Sequence, residues 1–347
     1  MEKKVLIAYC NTGELPFLTK EDMNRLDSVH ISFSLINEKG EAYWDQKGTE
    51  GVLEKIKEIN PELRLIISIG GWGADGFSQA AATEEGRQRF AASAVRIMEE
   101  NKLDGIDIDW EYPCSSQAGI ASAREDKENF TLLIRELRKQ IDACGKGKTL
   151  SVAAGALESF LADTDMGEVQ KYLDYVQLMT YDFHGVFTPT TGHHANLYDD
   201  GVLKEKLSGE RAVNMFVKAG VPIEKLVLGA AFYGRCWAKV PKENHGLGQA
   251  PIVPGVKGCP YHKICHILET GEGNYESFWD EDAKAPYLYN GESFISYEDK
   301  RSLYYKAQYV KERNLYGIMF WEYSEDQTRT LVGHLWQELQ KEEKYAL

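Results

Sequence analysis

Long apolar runs are missing from this 347-residue sequence. None approaches the roughly 20 consecutive apolar residues that a membrane-spanning helix needs, so we expect no membrane partner. The N-terminal Met-Glu-Lys-Lys is charged but is not followed by the apolar segment and cleavage site of an export signal. We therefore expect a cytoplasmic protein, or an extracellular one if an export signal has already been removed.

The sequence also lacks an excess of basic residues. The chain has 40 lysines and arginines against 54 aspartates and glutamates, which gives a formal net charge of −14. Nucleic acids and anionic membranes attract basic surfaces, so this balance argues against both as partners. It suits a neutral substrate such as a sugar polymer. The composition, 43% hydrophobic and 27% charged, is that of a folded globular protein.

Cysteine is sparse for a chain of this length, with six residues: Cys10, Cys114, Cys144, Cys236, Cys259 and Cys265. A large domain needs no disulfide to fold, so free thiols are expected, although a Cys259–Cys265 bridge remains open. His262 and His266 lie near these two cysteines but lack the spacing of known zinc motifs. We therefore predict no metal site there.

Short β-rich segments alternate with amphipathic helical segments along most of the chain. Eight strands are predicted at 5–10, 29–36, 63–70, 105–112, 150–156, 175–182, 226–233 and 317–321. Helices are predicted at 85–101, 125–143, 209–219, 303–313 and 328–341. This alternation predicts an α/β fold, a (β/α)8 TIM barrel, in which chemistry takes place at the carboxyl ends of the strands.

The alternation breaks between the predicted seventh and eighth strands. Residues 236–300 form too long a segment for a structureless loop, and their Trp, Tyr and Ile content is unlike that of a disordered linker. We predict that they form a small α+β insertion that makes one wall of a substrate cleft. Residues 1–235 and 301–347 would form the barrel.

The most unusual stretch is 103–113, Leu-Asp-Gly-Ile-Asp-Ile-Asp-Trp-Glu-Tyr-Pro. Side chains alternate along a strand, which places Asp107, Asp109 and Glu111 on one face and apolar or aromatic residues on the other. Carboxylates about 7 Å apart and shielded from water cannot all stay ionised, so at least one pKa must rise. A carboxylic acid that stays protonated near neutral pH is what general acid catalysis requires.

Two other interpretations of the acidic stretch are weaker. A solvated strand face conflicts with the flanking isoleucines and tryptophan, which indicate a buried strand. A calcium loop needs a glycine at its sixth position and loop geometry, and this stretch has neither. The Gly-x-Ser-x-Gly turn and the phosphate-binding glycine loop of other enzyme classes do not occur in the sequence. A catalytic role for the carboxylates is therefore predicted.

The pattern Asp104-x-x-Asp107-x-Asp109-x-Glu111, followed by Tyr-Pro, resembles the signature of glycoside hydrolase family 18, the chitinases. The resemblance implies a retaining mechanism in which the sugar's own 2-acetamido oxygen attacks the anomeric carbon and forms an oxazolinium ion. Glu111 would be the general acid and base, Asp109 would orient the acetamido group, and Asp107 would share a proton with Asp109. Asp104 would support the start of the strand. This mechanism needs no metal or organic cofactor.

The predicted third strand ends Ser68-Ile-Gly-Gly-Trp72 and resembles the family's Ser-x-Gly-Gly segment. The resemblance implies a contact between Ser68 and Asp107. It also implies that Trp72 offers a flat surface on which a sugar stacks, although a core position would suit a tryptophan as well.

The predicted sixth strand ends Gln177-Leu-Met179-Thr-Tyr181-Asp182 and resembles the family's Met-x-Tyr-Asp motif. Alternation places Gln177, Met179 and Tyr181 on one face. By resemblance, Tyr181 would donate its hydroxyl to the acetamido oxygen as a catalytic residue. Asp182 and Gln177 would contact the sugar, with Met179 packed beneath it.

The remaining candidates come from four other strands. Tyr233 and Arg235 lie in a family-like segment at the end of the predicted seventh strand. Trp321 ends the Gly-x-Met-x-Trp segment of the eighth strand, which in the family forms the floor of a sugar subsite. Tyr9 and Phe33, on the first two strands, either line the cleft or serve packing alone.

These features predict a chitinase that hydrolyses β-1,4 linkages in chitin or chitooligosaccharides, expected as a monomer. Two related activities remain open, an endo-β-N-acetylglucosaminidase that cuts glycoprotein glycans and a hydrolase of peptidoglycan, because both would use the same carboxylates. A chitin-binding lectin is the third alternative. The presence of Glu111, Asp109 and Tyr181 favours an enzyme over a lectin.

Overall fold

The computed structural model describes residues 3–252 and 256–341. The strands in these ranges are β1 (Val5–Asn11), β2 (Ser28–Ile36), β3 (Ala42–Tyr43), β4 (Arg64–Gly70), β5 (Gly105–Asp109), β6 (Thr149–Gly155), β7 (Tyr175–Met179), β8 (Leu226–Ala231), β9 (Tyr233–Trp237), β10 (Lys257–Pro260), β11 (Glu276–Asp280), β12 (Ala285–Tyr289), β13 (Phe294–Ser296) and β14 (Gly317–Trp321).

The α-helices in the same ranges are α1 (Lys20–Met23), α2 (Val52–Ile59), α3 (Phe77–Ala81), α4 (Glu84–Glu100), α5 (Asp126–Ala143), α6 (Glu158–Ala162), α7 (Met166–Val169), α8 (Gly209–Lys218), α9 (Tyr261–Thr270), α10 (Lys300–Glu312) and α11 (Thr330–Gln340). None of these described helices is long and apolar enough to cross a membrane.

The larger sheet confirms the predicted (β/α)8 fold. Its strand order is β1-β14-β8-β7-β6-β5-β4-β2-β3, and β1 also pairs with β2, so that eight strands form a closed barrel. The pairings β1–β2, β2–β4, β4–β5 and β5–β6 are all parallel. The short β3 is an antiparallel addition to β2 and lies outside the barrel's eight.

Three predicted strands end two or three residues earlier in the structure, and each difference concerns a site residue. The strand predicted at 226–233 ends at Ala231, and Tyr233 begins β9. β5 ends at Asp109, because its neighbour β4 ends at the paired Gly70, where φ is +126° and the chain turns away. β7 ends at Met179, and Asp182 has a φ of +59°, which no strand residue adopts. Glu111 and Tyr181 therefore lie just beyond strand ends and not on strand faces.

The unit formed by Ile7–Leu178 and Val213–Val227 contains β5 and its apolar surroundings. Trp110 is 1% exposed, and its ring stacks on Phe77 at 5.2 Å between centroids and meets Phe130 edge-on at 6.0 Å. Ile106 and Ile108 are fully buried. The apolar row predicted for this strand therefore faces the core, which leaves the carboxylates on the opposite side.

The second unit comprises Met1–Leu6, Met179–Ala212 and Leu228–Leu347 and contains a five-stranded sheet. The sheet has the order β10-β9-β13-β12-β11 with antiparallel pairings, and helix α9 follows β10. Its core consists of Trp237, Val240, Leu247, Tyr287, Tyr289 and Phe294.

The boundaries 1–235, 236–300 and 301–347 stay predictions. β9 begins at Tyr233, so this sheet starts before the boundary placed at 236. Residues 1–2, 253–255 and 342–347 of the predicted domains lie outside the described residues.

Candidate active site

The carboxylate of Asp107 lies fully buried at the centre of a hydrogen-bond network. The Tyr9 hydroxyl and Ser68 Oγ donate to its Oδ2 at 2.8 and 2.7 Å. Ser151 Oγ and Gln177 Nε2 donate to its Oδ1 at 2.7 and 3.0 Å. Ser68 and Ser151 are paired with Asp107 on the two neighbouring strands, so the register of the sheet places them there.

This environment favours the ionised form of Asp107. Burial raises the pKa of its carboxyl group, but the charge and hydrogen bond of His30 and the hydroxyls of Ser151 and Ser68 outweigh burial and hold the pKa below its ordinary value. His30 Nδ1 lies 3.5 Å from Asp107 Oδ2. Four donors on one carboxylate are the arrangement expected for a buried negative charge.

Asp109 is in the opposite electrostatic state. It is 4% exposed, and its Oδ1 has no hydrogen-bond partner among the described residues. Burial, together with the charges of Glu111 and Asp107, raises the pKa of Asp109 well above its ordinary value. The sequence predicted a raised pKa in this row, and the structure assigns it to Asp109. These environments therefore favour the proton on Asp109 and the negative charge on Asp107.

Glu111 is the most accessible of the three carboxyl groups. It is partly exposed, whereas Asp107 and Asp109 are buried. Trp72 is 52% exposed, and its ring meets that of Tyr112 edge-on at 6.3 Å. Trp72 is therefore not a core tryptophan, and its ring is available at the surface of this unit.

Gly70, the last residue of β4, allows the backbone of that strand to pass close to Asp109. A Cβ atom on Gly70 would lie 2.0 Å from the backbone oxygen of Asp109, and the φ of +126° at Gly70 is unfavourable for any other residue.

We expect Gly70→Ala to lower the free energy of unfolding by about 3 kcal/mol, measured by urea titration. Gly13→Ala is the matched control, because nothing lies within 4 Å of a Cβ there. Equal losses in the two variants would contradict this account of Gly70.

The state of Asp109 predicts a pH-dependent stability. Because its pKa is raised in the folded protein, Asp109 destabilises the fold increasingly as pH rises above the ordinary value of 3.8 towards the folded-state pKa. Asp109→Asn removes this titration, so its Tm should rise relative to wild type by about 2–5 °C for each pKa unit of the shift. Calorimetry between pH 4 and 8 measures the difference. A difference that stays constant or shrinks with pH would show that Asp109 is ionised in the fold.

A second group of predicted site residues lies in the other unit and centres on Asp182. Arg235 Nε and Nη2 each donate to one of its carboxylate oxygens at 2.6 Å. Burial raises the pKa of Asp182, but His194 and the guanidinium of Arg235 outweigh it and hold the pKa well below the usual range. Asp182 is therefore a fixed carboxylate whose side chain is still 41% exposed.

Tyr181 and Trp321 belong to the same group. Both are partly buried and pack against a small cluster of Ala195, Ala231 and Tyr233. The Tyr181 hydroxyl donates to Met319 Sδ at 3.9 Å, and its ring meets that of Tyr233 edge-on at 6.2 Å. Met179 is 8% exposed. The motifs at the ends of β7 and β14 and in β9 thus supply one aromatic and charged surface within this unit.

Two candidate substrate-binding residues are buried in the structure. Tyr9 and Gln177 are 2% and 0% exposed, and Gln177 Nε2 also donates to the Tyr9 hydroxyl at 2.8 Å. Both side chains are used in holding Asp107 and have no accessible surface to offer a sugar. Phe33, in contrast, is partly exposed, and its ring packs against Gly71.

The supporting contacts predicted for Ser68 and Asp104 are present. Ser68 bonds Asp107 as described above. Asp104 precedes β5 and accepts from Lys57 Nζ at 2.7 Å and from the backbone N–H of Leu65 at 2.9 Å, which ties the start of β5 to β4.

Sequence reasoning missed His30 and Ser151. His30 interrupts an apolar strand, and Ser151 occupies the barrel-facing position of β6 that pairs with Asp107, so both carried a signal. For His194, which follows the predicted sixth strand, the sequence suggests a place lining the cleft or a bond within it; the structure buries it fully in a loop with Nδ1 3.7 Å from Asp182 Oδ1.

The histidines considered for a metal have unrelated partners. His262 Nδ1 hydrogen-bonds the backbone oxygen of Glu325 at 2.9 Å, and His266 Nε2 lies 3.5 Å from Glu272. Across residues 3–252 and 256–341, no three or more His, Cys, Asp or Glu side chains form a group that could hold a metal ion. All six cysteines are free thiols.

Comparison with known proteins identifies relatives of the whole fold. The model of the family "Glycosyl hydrolases family 18" matches residues 7–326. Chitinase A1 of Niallia circulans is 37% identical over 314 residues, covering 84% of this chain and 45% of the relative. This chain therefore spans about half the length of that curated relative.

Two solved structures are similar along almost their full length. One is a glycoside hydrolase family 18 N-acetylglucosaminidase from Paenibacillus barengoltzii, with a TM-score of 0.93 and 45% identity over 96% of this chain and 99% of that chain. The other is a class V chitinase from Nicotiana tobaccum in complex with NAG4, with a TM-score of 0.83 and 26% identity over 98% of this chain and 99% of that chain.

Proposed function

Because this chain belongs to family 18 of the glycosyl hydrolases, we propose that it hydrolyses β-1,4 linkages between N-acetylglucosamine units of chitin or chitooligosaccharides. The substrate class rests on the relatives, which include chitinases and an N-acetylglucosaminidase. The sequence-based preference for a neutral sugar substrate agrees with it.

The observation that carries the proposal is the division of charge among the three carboxyl groups. Four donors bond the carboxylate of Asp107 and favour its ionised form, whereas burial and two acidic neighbours raise the pKa of Asp109. Glu111 is the accessible member of the row. A packed core needs none of these features, and two acids buried side by side cost folding free energy, so such pairs are typical of functional sites.

The proposed reaction uses the substrate's own acetamido group. Glu111 protonates the glycosidic oxygen while the acetamido oxygen attacks the anomeric carbon, which breaks the glycosidic bond and forms the oxazolinium ion. Glu111 then takes a proton from water as the water opens the ion. The configuration at the anomeric carbon is retained, because two inversions occur.

Asp109 supplies the orienting group in this scheme. Its carboxyl oxygen Oδ1 is buried and makes no protein hydrogen bond among the described residues, so it is available to the acetamido N–H. As the oxazolinium ion forms, Asp109 passes its proton to the carboxylate of Asp107, with which it shares that proton, and the negative charge left on Asp109 stabilises the ion.

The motif residues of the second unit are proposed to bind the sugar. By family resemblance, Tyr181 holds the acetamido oxygen, Asp182 contacts a sugar hydroxyl, and Trp321 offers its ring to the sugar face. Arg235 fixes Asp182 with two parallel hydrogen bonds, which preserves the geometry of that contact.

Turnover of fully acetylated chitohexaose by the purified protein tests the substrate class. Hydrolysis of chitohexaose, without cleavage of high-mannose glycopeptide or peptidoglycan, supports the proposal. Cleavage of either alternative substrate alone would replace it with the corresponding related activity. Binding of chitohexaose without turnover would indicate a lectin.

A second candidate is an N-acetylglucosaminidase that releases single sugars from a chain end. The similarity to the Paenibacillus barengoltzii enzyme favours it, because that similarity covers nearly the whole of both chains at 45% identity. The products of chitohexaose at early times distinguish the two activities. Monomer and pentamer alone indicate removal of terminal sugars, whereas dimers, trimers and tetramers indicate a chitinase.

A further inference from the structure

Two cysteines face each other across neighbouring strands of the five-stranded sheet. In the antiparallel pair β9–β10, Cys236 is opposite Lys257 and Cys259 is opposite Gly234. Residues two apart on a strand point to the same side, so Cys236 and Cys259 lie on one face as diagonal neighbours. Such neighbours have Cα atoms roughly 7–8 Å apart, just beyond the roughly 4.4–6.8 Å that a disulfide usually spans, so that closing the bridge needs a small backbone shift.

The surroundings allow the two sulfur atoms to approach. Gly234, the residue opposite Cys259, has no side chain that could stand between the two sulfur atoms. β10 is an edge strand with β9 as its neighbour in the sheet. The small shift needed for bond formation therefore moves an edge and not a strand held on both sides.

Both thiols are accessible and are electrostatically different. Cys236 and Cys259 are each partly exposed. The interaction between the two thiols raises the pKa of Cys236 and lowers that of Cys259, and the ammonium group of Lys263 lowers the pKa of Cys259 further. Cys259 is therefore the nucleophile of the pair, because the thiolate is the reactive form.

We propose that Cys236 and Cys259 form a redox-active dithiol that closes to a disulfide by exchange with a small anionic disulfide such as glutathione disulfide. The exposed Lys257, opposite Cys236, and the nearby Lys263 attract such an anion. This site is independent of the proposed glycosidase activity.

The exchange has two steps. The Cys259 thiolate attacks one sulfur of glutathione disulfide, which breaks that S–S bond and releases one glutathione thiolate. The Cys236 thiol loses its proton to water, and its thiolate attacks the Cys259 sulfur of the mixed disulfide and releases the second glutathione. The protein dithiol is oxidised by two electrons, and one glutathione disulfide is reduced to two glutathione molecules.

Cys265 provides the matched control. It lies in α9, its thiol interacts with Tyr261, and burial raises its pKa. The sequence left a Cys259–Cys265 bridge open, whereas the strand register places Cys236 beside Cys259.

The test is oxidation of the full chain with glutathione disulfide, followed by alkylation, intact mass and peptide mapping. Wild type and Cys265→Ala should each lose two alkylatable thiols and yield one cross-linked peptide pair containing Cys236 and Cys259. Cys236→Ala should stop at a glutathione adduct on Cys259, and Cys259→Ala should react far more slowly. A glutathione adduct without a cross-link in wild type, or a cross-link to Cys265, would overturn the proposal.

Thermal unfolding gives a second readout that does not depend on alkylation. The bridge would close a loop between residues 236 and 259 and should raise the Tm of oxidised wild type by about 3–6 °C, reversibly on addition of dithiothreitol. Cys236→Ala should show no such rise. Equal shifts in wild type and Cys236→Ala would also overturn the proposal.

Discussion

The Glu111→Gln variant is expected to hydrolyse a chromogenic chitobioside about 10²–10⁴-fold more slowly than wild type, with the loss in kcat. Glutamine keeps the shape of the side chain but cannot deliver a proton to the leaving oxygen. Glu111 is the accessible member of the row, whereas Asp107 and Asp109 are 0% and 4% exposed. The two buried groups therefore lack the exposed surface needed to reach the leaving oxygen in place of Glu111.

The matched control is Glu128→Gln, an equally conservative change at an exposed position of α5. This variant should keep wild-type kcat and KM. Circular dichroism and the unfolding midpoint of both variants show whether the fold is intact. A Glu111→Gln variant that folds normally and retains most of its activity would remove Glu111 from the role of general acid.

Fully deacetylated chitosan oligomers are expected to be cleaved at least about 10³-fold more slowly than acetylated oligomers of the same length. The proposed nucleophile is the acetamido oxygen of the substrate, and a well-placed intramolecular nucleophile is equivalent to an effective concentration of about 10⁵–10⁸ M. Removing the acetyl group removes that nucleophile. The rates are compared by reducing-end assay.

Partly acetylated oligomers serve as the control, because they share the charge of chitosan but retain some acetamido groups. Cleavage of these oligomers should occur only after acetylated units, as sequencing of the products by mass spectrometry would show. Efficient cleavage after glucosamine units would contradict a substrate-assisted reaction and require a nucleophile from the protein.

Much of the carboxylate row could be predicted, because it depends on local rules. Alternation along a strand placed Ile106 and Ile108 in the core and Asp107 and Asp109 on the other face. The closeness of the three carboxyl groups predicted that the pKa of at least one of them rises. The choice of Asp109 over Asp107 could not be predicted, because it depends on donors from four other strands.

The limits of sequence reasoning lie in contacts between distant segments. Tyr9 and Gln177 are assigned to Asp107 only once the strand order is known. Alternation placed Gln177 on the same face as Met179 and Tyr181, and the sequence left Tyr9 open between lining the cleft and packing. The sequence predicted ends for β5 and β7 that lie too far along the chain. The turn at Gly70 and the left-handed backbone of Asp182 give no recognisable pattern in the local sequence. The pairing of Cys236 with Cys259 depends on the register of β9 and β10 in the same way.

The anomeric configuration of the first product tests the central claim most directly, because it reports the course of the reaction itself. Proton NMR of chitohexaose hydrolysis, recorded before mutarotation, distinguishes the two anomers of the new reducing end. The substrate-assisted mechanism with Glu111 as acid and base predicts the β-anomer first, with the α-anomer growing in only as mutarotation proceeds. Initial formation of the α-anomer would show a single inverting displacement by water and would contradict the account.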